Sequence, residues 1–152
     1  MSATTEPCVF DPRWLTGNRI VDDEHARLLE MVFGLRAICR TFDRKESCNG
    51  CAADKVAACE DRVFACISEL MDYMVEHFGS EERLMKDLGL AARRRLMFEE
   101  HVEDHARLAG HLSDLTLPGA PEMTVGRIAD LSALVLEWLD HHIRIHDVPM
   151  MQ

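Results

Sequence analysis

Histidines and carboxylates recur at one-turn spacing along this sequence. His77 and Glu81 are four residues apart, and so are His101 and His105. Residues four apart lie on the same face of a helix, one turn above each other. Imidazole nitrogens and carboxylate oxygens both bind transition metals, so each pair could hold a metal ion together with donors from other segments.

Four segments with apolar residues at helical spacing would position these pairs, and no alternating, β-branched run indicates a strand. The predicted helices cover about 22–42, 54–86, 91–117 and 123–148. Asp22 suits the start of the first helix, and Pro118 stops the third. Pro149 ends the fourth, because proline disfavours helical geometry in the residue before it. Short connections favour antiparallel neighbours. We therefore predict an all-α fold, an antiparallel up-down-up-down four-helix bundle with an N-terminal loop.

The chain has 152 residues, the size of one domain. We expect a single domain over 1–152, with an N-terminal arm at 1–21 and a cysteine-containing linker at 43–53.

Polar groups replace apolar residues on the inward stripe of every predicted helix, at His25, His77, Glu81, His101, His105 and His142. Other residues predicted to face inward include Cys39, Leu84, Met97, Trp138 and Ile145.

Buried histidine and glutamate are costly unless they are paired or bind a metal. Five imidazoles with two carboxylates are too many for one tetrahedral zinc, so two metal ions fit better. A ferritin-type di-iron site would need a Glu-x-x-His pair on each of two helices, and this chain has none.

The motifs resemble those of the hemerythrins, especially the bacteriohemerythrins, over about residues 10 to 150. The opening motif runs from Gly17 to His25, and the second from His77 to Met85. The remaining matches are His101-x-x-x-His105, Trp138 to Ile143, and Asp147.

The resemblance implies two iron ions, one held by three histidines and one by two. Two carboxylates would bridge them, together with an oxo or hydroxo group. The first set is His101, His105 and His142, the second is His25 and His77, and the bridging residues are Glu81 and Asp147. The second iron would keep an open position, where dioxygen would bind reversibly.

Two positions near the end of the fourth helix need closer placement. His142, and not the adjacent His141, lies on the stripe with Trp138 and Ile145. Asp147 is five residues further on, which in a straight helix points about 140° away. A π-type turn before Pro149 would swing it inward.

The sequence departs from the family pattern in three places. Glu24 stands where glutamine is usual, and the stretch between Glu81 and His101 is longer than usual and lacks the customary Tyr-Pro. The segment from Cys48 to Cys51 is a Cys-x-x-Cys pair, which could bind zinc or act as a redox pair, although the signal is weak without a second such pair.

Several further features have ordinary structural interpretations. We expect Cys59 and Cys66 to be small core residues. We expect His111 and His146 to lie on the surface, and Arg93-Arg94-Arg95 to form a solvated face.

Charge and hydropathy exclude several classes of partner. The formal net charge of −10 disfavours nucleic acid and anionic lipid. The longest apolar stretch, 131–139, is too short to span a bilayer, so we expect no membrane helix. The N-terminus lacks a secretory signal, so we expect a cytoplasmic protein with reduced cysteines.

We therefore expect an oxygen carrier, store or sensor, with dioxygen as the ligand and nitric oxide as a further one. With the donors all assigned to metal and no further acid–base residue predicted beside them, we expect reversible binding and no enzyme activity. The alternatives are a di-iron oxidase, peroxidase or nitric oxide reductase, and a regulatory module that responds to nitric oxide or iron. The oligomeric state stays open.

Overall fold

The computed structural model describes residues 10–39, 47–115 and 124–152. Six α-helices lie in these ranges: α1 Arg19–Ala37, α2 Ala53–Asp87, α3 Leu90–Arg93, α4 Arg95–Leu115, α5 Thr124–His142 and α6 Val148–Met151. A 3-10 turn, Pro12–Trp14, precedes α1, and a π turn, Ile143–Asp147, joins α5 to α6. The described residues contain no strand, which confirms the all-α class.

The four long helices, α1, α2, α4 and α5, form the predicted bundle. Helix α1 packs on α2 and α5, and α4 packs on the same two helices or their extensions. The core consists of leucine, valine, isoleucine and methionine from the facing stripes, many of them fully buried. The N-terminal loop is tied to α5, because Trp14 is buried and its Nε1 donates to Asp140 Oδ1 at 3.1 Å. No helix within the described ranges is long and apolar enough to cross a membrane.

Helix α1 begins and ends earlier than predicted. Asn18 is the N-cap, because its Oδ1 accepts from Ile20 N at 3.0 Å. Asp22, the predicted cap, instead accepts from the backbone N–H and hydroxyl of Thr16, both at 2.8 Å, and so braces the loop before the helix. The helix ends at Ala37, and the predicted end at Phe42 lies outside the described residues.

The second predicted helix is confirmed to within a residue at each end, and the third is wrong in one respect. Gly89, with φ of +69°, follows α2 in the left-handed conformation that glycine adopts readily. The third segment is then broken at Arg94, whose φ of −126° and ψ of 48° are not helical. Its predicted end at Leu117 lies outside the described residues.

Arg94 also corrects the prediction that Arg93-Arg94-Arg95 is a solvated face. Its guanidinium Nη1 donates to the backbone carbonyls of Pro149 and Met150 at the end of the chain's last helix. This half-buried contact fastens the break between α3 and α4 to α6.

Pro149 does not end the last helix as predicted. Val148 is helical, with φ of −59° and ψ of −50°, and α6 continues to Met151. Proline is tolerated in the first turn of a helix, where its missing N–H has no intrahelical acceptor. The π turn ends at Asp147, so Pro149 lies in the first turn of the new helix α6.

Candidate metal centre

The four long helices and the π turn after α5 bring the seven predicted site residues together near one end of the bundle. All seven are buried, with exposed fractions between 0% and 3%: His25, His77, Glu81, His101, His105, His142 and Asp147. The first lies near the start of α1, two lie near the end of α2, two lie in the first half of α4, and His142 ends α5. Antiparallel packing places these positions at the same level.

The π turn brings Asp147 into the same cluster. Its five residues, Ile143–Asp147, form a wider turn than the α-helix does, so Asp147 faces the interior and is 0% exposed. The prediction that Ile145 faces inward with His142 is wrong, because the same wide turn leaves Ile145 51% exposed. Leu84, Met97 and Trp138 are also only half-buried.

Glu81 lies between two sets of histidines. Its Oε1 is 3.2 Å from His25 Nε2 and 3.3 Å from His77 Nε2. Its Oε2 is 3.1 Å from His105 Nε2 and 3.3 Å from His101 Nε2. Each oxygen of one carboxylate therefore faces a different set.

Asp147 divides its oxygens between the sets in the same way. Oδ1 is 2.8 Å from His101 Nε2 and 3.1 Å from His142 Nε2. Oδ2 is 3.0 Å from His25 Nε2. Two carboxylates thus span the space between the two histidine sets.

The donor atoms fit two adjacent cations. Glu81, His101, His105 and His142 offer atoms within 4.8 Å of one another, and so do His25, His77 and Glu81. The Nε2 atoms of His105 and His142 are 3.1 Å apart. Nitrogens about 3 Å apart are what one cation produces when it binds two imidazoles at about 2.1 Å and a right angle.

Buried polar atoms without hydrogen-bond partners support this fit. They include His77 Nε2, Glu81 Oε2 and Asp147 Oδ2. Glu81 Oε2 lies close to His105 and His101, but it is not aligned with them for hydrogen bonds. An unpaired buried polar group is costly, and a coordinated cation would remove that cost.

Three further carboxylates lie behind the histidines. Glu24 is 2.9 Å from His77 Nδ1, Glu82 is 3.3 Å from His105 Nδ1, and Asp104 is 2.6 Å from His142 Nδ1. An ionised carboxylate only accepts, so Nδ1 carries the proton in each pair and the Nε2 lone pair faces the interior. This is the tautomer that metal-binding histidines commonly adopt.

The sequence interpretation missed these carboxylates, although a signal was present. Each one is the sequence neighbour of a predicted ligand: Glu24 of His25, Glu82 of Glu81, and Asp104 of His105. Consecutive helix residues point about 100° apart, so each carboxylate reaches a histidine on an adjacent helix instead. Glu24 also accepts a hydrogen bond from Ser80 Oγ at 2.8 Å. A glutamine at this position could accept the same hydrogen bond, but with a neutral amide oxygen.

The expectation that no further acid–base residue adjoins the site is therefore wrong. His146, expected on the surface, is half-buried, and its Nε2 is 3.9 Å from Asp104 Oδ2. The outer carboxylates nevertheless face the outward nitrogens of the histidines.

The charges inside the cluster stabilise one another. Burial raises the pKa of Glu81, as does the adjacent Asp147, but His77, His101 and His105 outweigh them and hold it well below its usual range. Burial likewise opposes ionisation of Asp147, whose pKa is held well below its usual range by the surrounding histidines. Both carboxylates are therefore anionic at neutral pH.

The cluster shifts the pKa values of its histidines in opposite directions. Burial lowers the pKa of His25, but the adjacent carboxylates of Asp147 and Glu81 raise it to about 9, and the same two carboxylates raise that of His101 to about 9. Burial lowers the pKa of His105, and the charges of His101 and His142 lower it further. Without a metal, protons on His25 and His101 neutralise the carboxylates, and these are the protons that cations would replace.

Two aromatic side chains cover the histidine rings. Phe78 stacks on His105, with ring centroids 3.9 Å apart, and Trp138 stacks on His142 at 4.2 Å. Phe78 and Trp138 meet edge to face at 5.6 Å. Together they form an apolar wall on one side of the cluster.

An antiparallel helical bundle with a buried cluster of histidines and carboxylates is the architecture of a cation-binding protein. The family model described as the hemerythrin HHE cation binding domain matches residues 16–148. The chain belongs to the hemerythrin family.

Bacteriohemerythrins from two organisms are similar to this chain. A bacteriohemerythrin of Pseudomonas aeruginosa is 29% identical over 132 residues, which cover 87% of this chain and 71% of the relative. A bacteriohemerythrin of Methylococcus capsulatus is 30% identical over 123 residues, which cover 80% of this chain and 76% of the relative. No solved structure matches significantly.

Proposed function

We propose that this chain binds two iron ions at the cluster and uses them to bind dioxygen reversibly. His101, His105 and His142 would hold one ion, and His25 and His77 the other. Glu81 and Asp147 would bridge them. The observation that supports this best is that both carboxylates turn one oxygen to each histidine set.

Unequal numbers of histidines support a position for an external ligand. One set contributes three imidazoles and the other two, so the ion held by two has fewer protein donors. Iron bound there would supply the reversible redox chemistry that dioxygen binding requires. Nitric oxide, another small diatomic ligand, would bind at the same position.

The protein's own groups favour binding over turnover. Glu24, Glu82 and Asp104 hold protons on the outward nitrogens of the histidines, so those protons are directed away from the ligand. Phe78 and Trp138 exclude water from one side. Reducing dioxygen to water or peroxide requires protons delivered to the bound ligand, so the outward direction of these histidine protons favours reversible binding.

We place this function in the cytoplasm. Cys48, Cys59 and Cys66 are free thiols, as is usual in that reducing compartment.

Anaerobic loading with ferrous iron tests the proposal. We expect two irons per chain and a visible absorption that appears on oxygenation and disappears when oxygen is removed. His111→Ala, which alters an exposed histidine on α4, is the matched control and should bind as the wild type does. Fewer than two irons would contradict the di-iron site. Irreversible oxygen consumption would instead indicate an enzyme.

A further inference from the structure

The cysteines of the described residues fall into two groups. Cys39, Cys59 and Cys66 pack against the hydrophobic core, and burial raises the pKa of the Cys66 thiol. Cys48 and Cys51 instead line an open cavity of about 420 Å³ before α2. The second group is therefore accessible to a small reagent, and the cavity is large enough to admit one.

A hydrogen-bonded turn holds Cys48 and Cys51 close together. The backbone N–H of Cys51 donates to the carbonyl of Cys48 at 3.1 Å. Gly50 has φ of +88°, as the third residue of a type II turn requires. Residues at the two ends of such a turn have Cα atoms less than about 7 Å apart, which overlaps the range that a disulfide spans.

We propose that Cys48 and Cys51 are a redox-active dithiol that forms a disulfide by exchange with a small organic disulfide. One cysteine thiolate attacks a sulfur of the reagent, which forms a mixed disulfide and releases one thiol. The second cysteine then attacks the protein sulfur of that mixed disulfide, which closes the Cys48–Cys51 bond and releases the second thiol. Two protein thiols are oxidised, and one reagent disulfide is reduced to two thiols.

The surroundings favour a disulfide over a zinc site. Zinc in a structural site needs four ligands. Within the described ranges, the groups of three or more potential metal ligands that lie close together do not include Cys48 or Cys51. Two thiols alone suffice for a disulfide.

The dithiol lies far from the candidate metal centre. His77 is 24 residues beyond the start of α2 at Ala53, which corresponds to about 36 Å along the helix. The dithiol is therefore independent of the candidate metal centre, and a dithiol that does not react would leave the proposed iron site untouched.

Oxidised glutathione is the probe for this dithiol. We expect the wild-type protein to lose two reagent-accessible thiols per chain, with a Cys48–Cys51 crosslink in the peptide map after alkylation. Cys51→Ser should instead retain glutathione on Cys48. Cys59→Ser is the matched control and should still form the crosslink.

A second variant tests the turn itself. Gly50→Ala meets no atom within 4 Å, so its effect is confined to the strained backbone. We expect the mixed disulfide to close about tenfold more slowly, because a left-handed conformation is costly for alanine. Gly34→Ala, which also has open space and lies in α1, should close at the wild-type rate. Wild-type thiols that stay free, or a crosslink to any other cysteine, would overturn the proposal.

Discussion

At the scale of single residues, adjacent carboxylates have different surroundings. Glu81 is fully buried between the two histidine sets, whereas its neighbour Glu82 lies outside them against His105 Nδ1. The helix rotates by about 100° per residue, which is enough to separate an interior donor from an outer one.

Because Glu81 and Glu82 are neighbours in sequence, the same substitution by glutamine, which hardly changes the size of the side chain, can be compared at both positions. Glu81→Gln removes the charge that faces both sets, so we expect loss of at least one iron per chain. Glu82→Gln should keep both irons, because it only weakens the hydrogen bond to His105. Iron analysis after gel filtration checks both variants. Equal iron contents would contradict the bridging role of Glu81.

The titration of His25 and His101 predicts how the metal-free protein responds to pH. Their folded pKa of about 9 exceeds the ordinary histidine pKa of 6.5, so their stabilising contribution is complete below pH 6.5 and is lost as the pH rises through 9. His105, with its lowered pKa, affects stability mainly below pH 6.5, where its unfolded form binds more protons than its folded form. We expect the free energy of unfolding to fall between pH 6.5 and 9, as measured by urea denaturation.

The iron-loaded protein is the control for that measurement. Metal-bound histidines are already deprotonated, so its stability should not fall over the same range. A metal-free protein whose stability is flat from pH 6.5 to 9 would show that these histidines do not hold extra protons.

At the scale of elements, the π turn and the break at Arg94 work together. The π turn directs Asp147 into the cluster. Arg94 donates to the carbonyls of Pro149 and Met150 and so holds α6, the short helix after the π turn. The position of one predicted ligand thus depends on a side chain more than fifty residues earlier.

Arg94→Met should loosen this end of the chain. We expect a loss of about 2 kcal/mol in the free energy of unfolding, since a hydrogen bond from a charged group is removed. We also expect faster iron loss to a chelator, because Asp147 is held less firmly. Arg95→Met is the matched control, as Arg95 pairs with Glu99 on the surface. Identical rates of iron loss in the two variants would refute the role of Arg94.

At the scale of the whole molecule, the cluster connects four helices that are distant in sequence. Without a cation, its buried donors depend on protons for neutralisation, so one end of the bundle contains costly polar groups. A cation bound only in the folded state stabilises that state by mass action.

Iron loading should therefore raise the thermal midpoint. We expect at least about 4 kcal/mol of added stability when free iron exceeds its dissociation constant about a thousandfold. Calorimetry of loaded and chelator-treated protein provides the measurement, with His25→Ala as a variant that should gain less. Coincident midpoints would show that iron does not bind preferentially to the folded chain.

The sequence alone determined the all-α class, the second helix almost to the residue, and the inward position of six candidate site residues on regular stripes. These follow from a period of 3.6 residues, which is a local property of the chain. Proline was misleading at Pro149, because its effect depends on whether a new helical turn begins there.

Only the tertiary structure decided which partners those residues meet. The pairings of Glu24 with His77, Glu82 with His105 and Asp104 with His142 each join different helices. Arg94 reaches the last helix, and the π turn exposes Ile145. Such contacts depend on the rotation and level of one helix against another, which local periodicity does not encode.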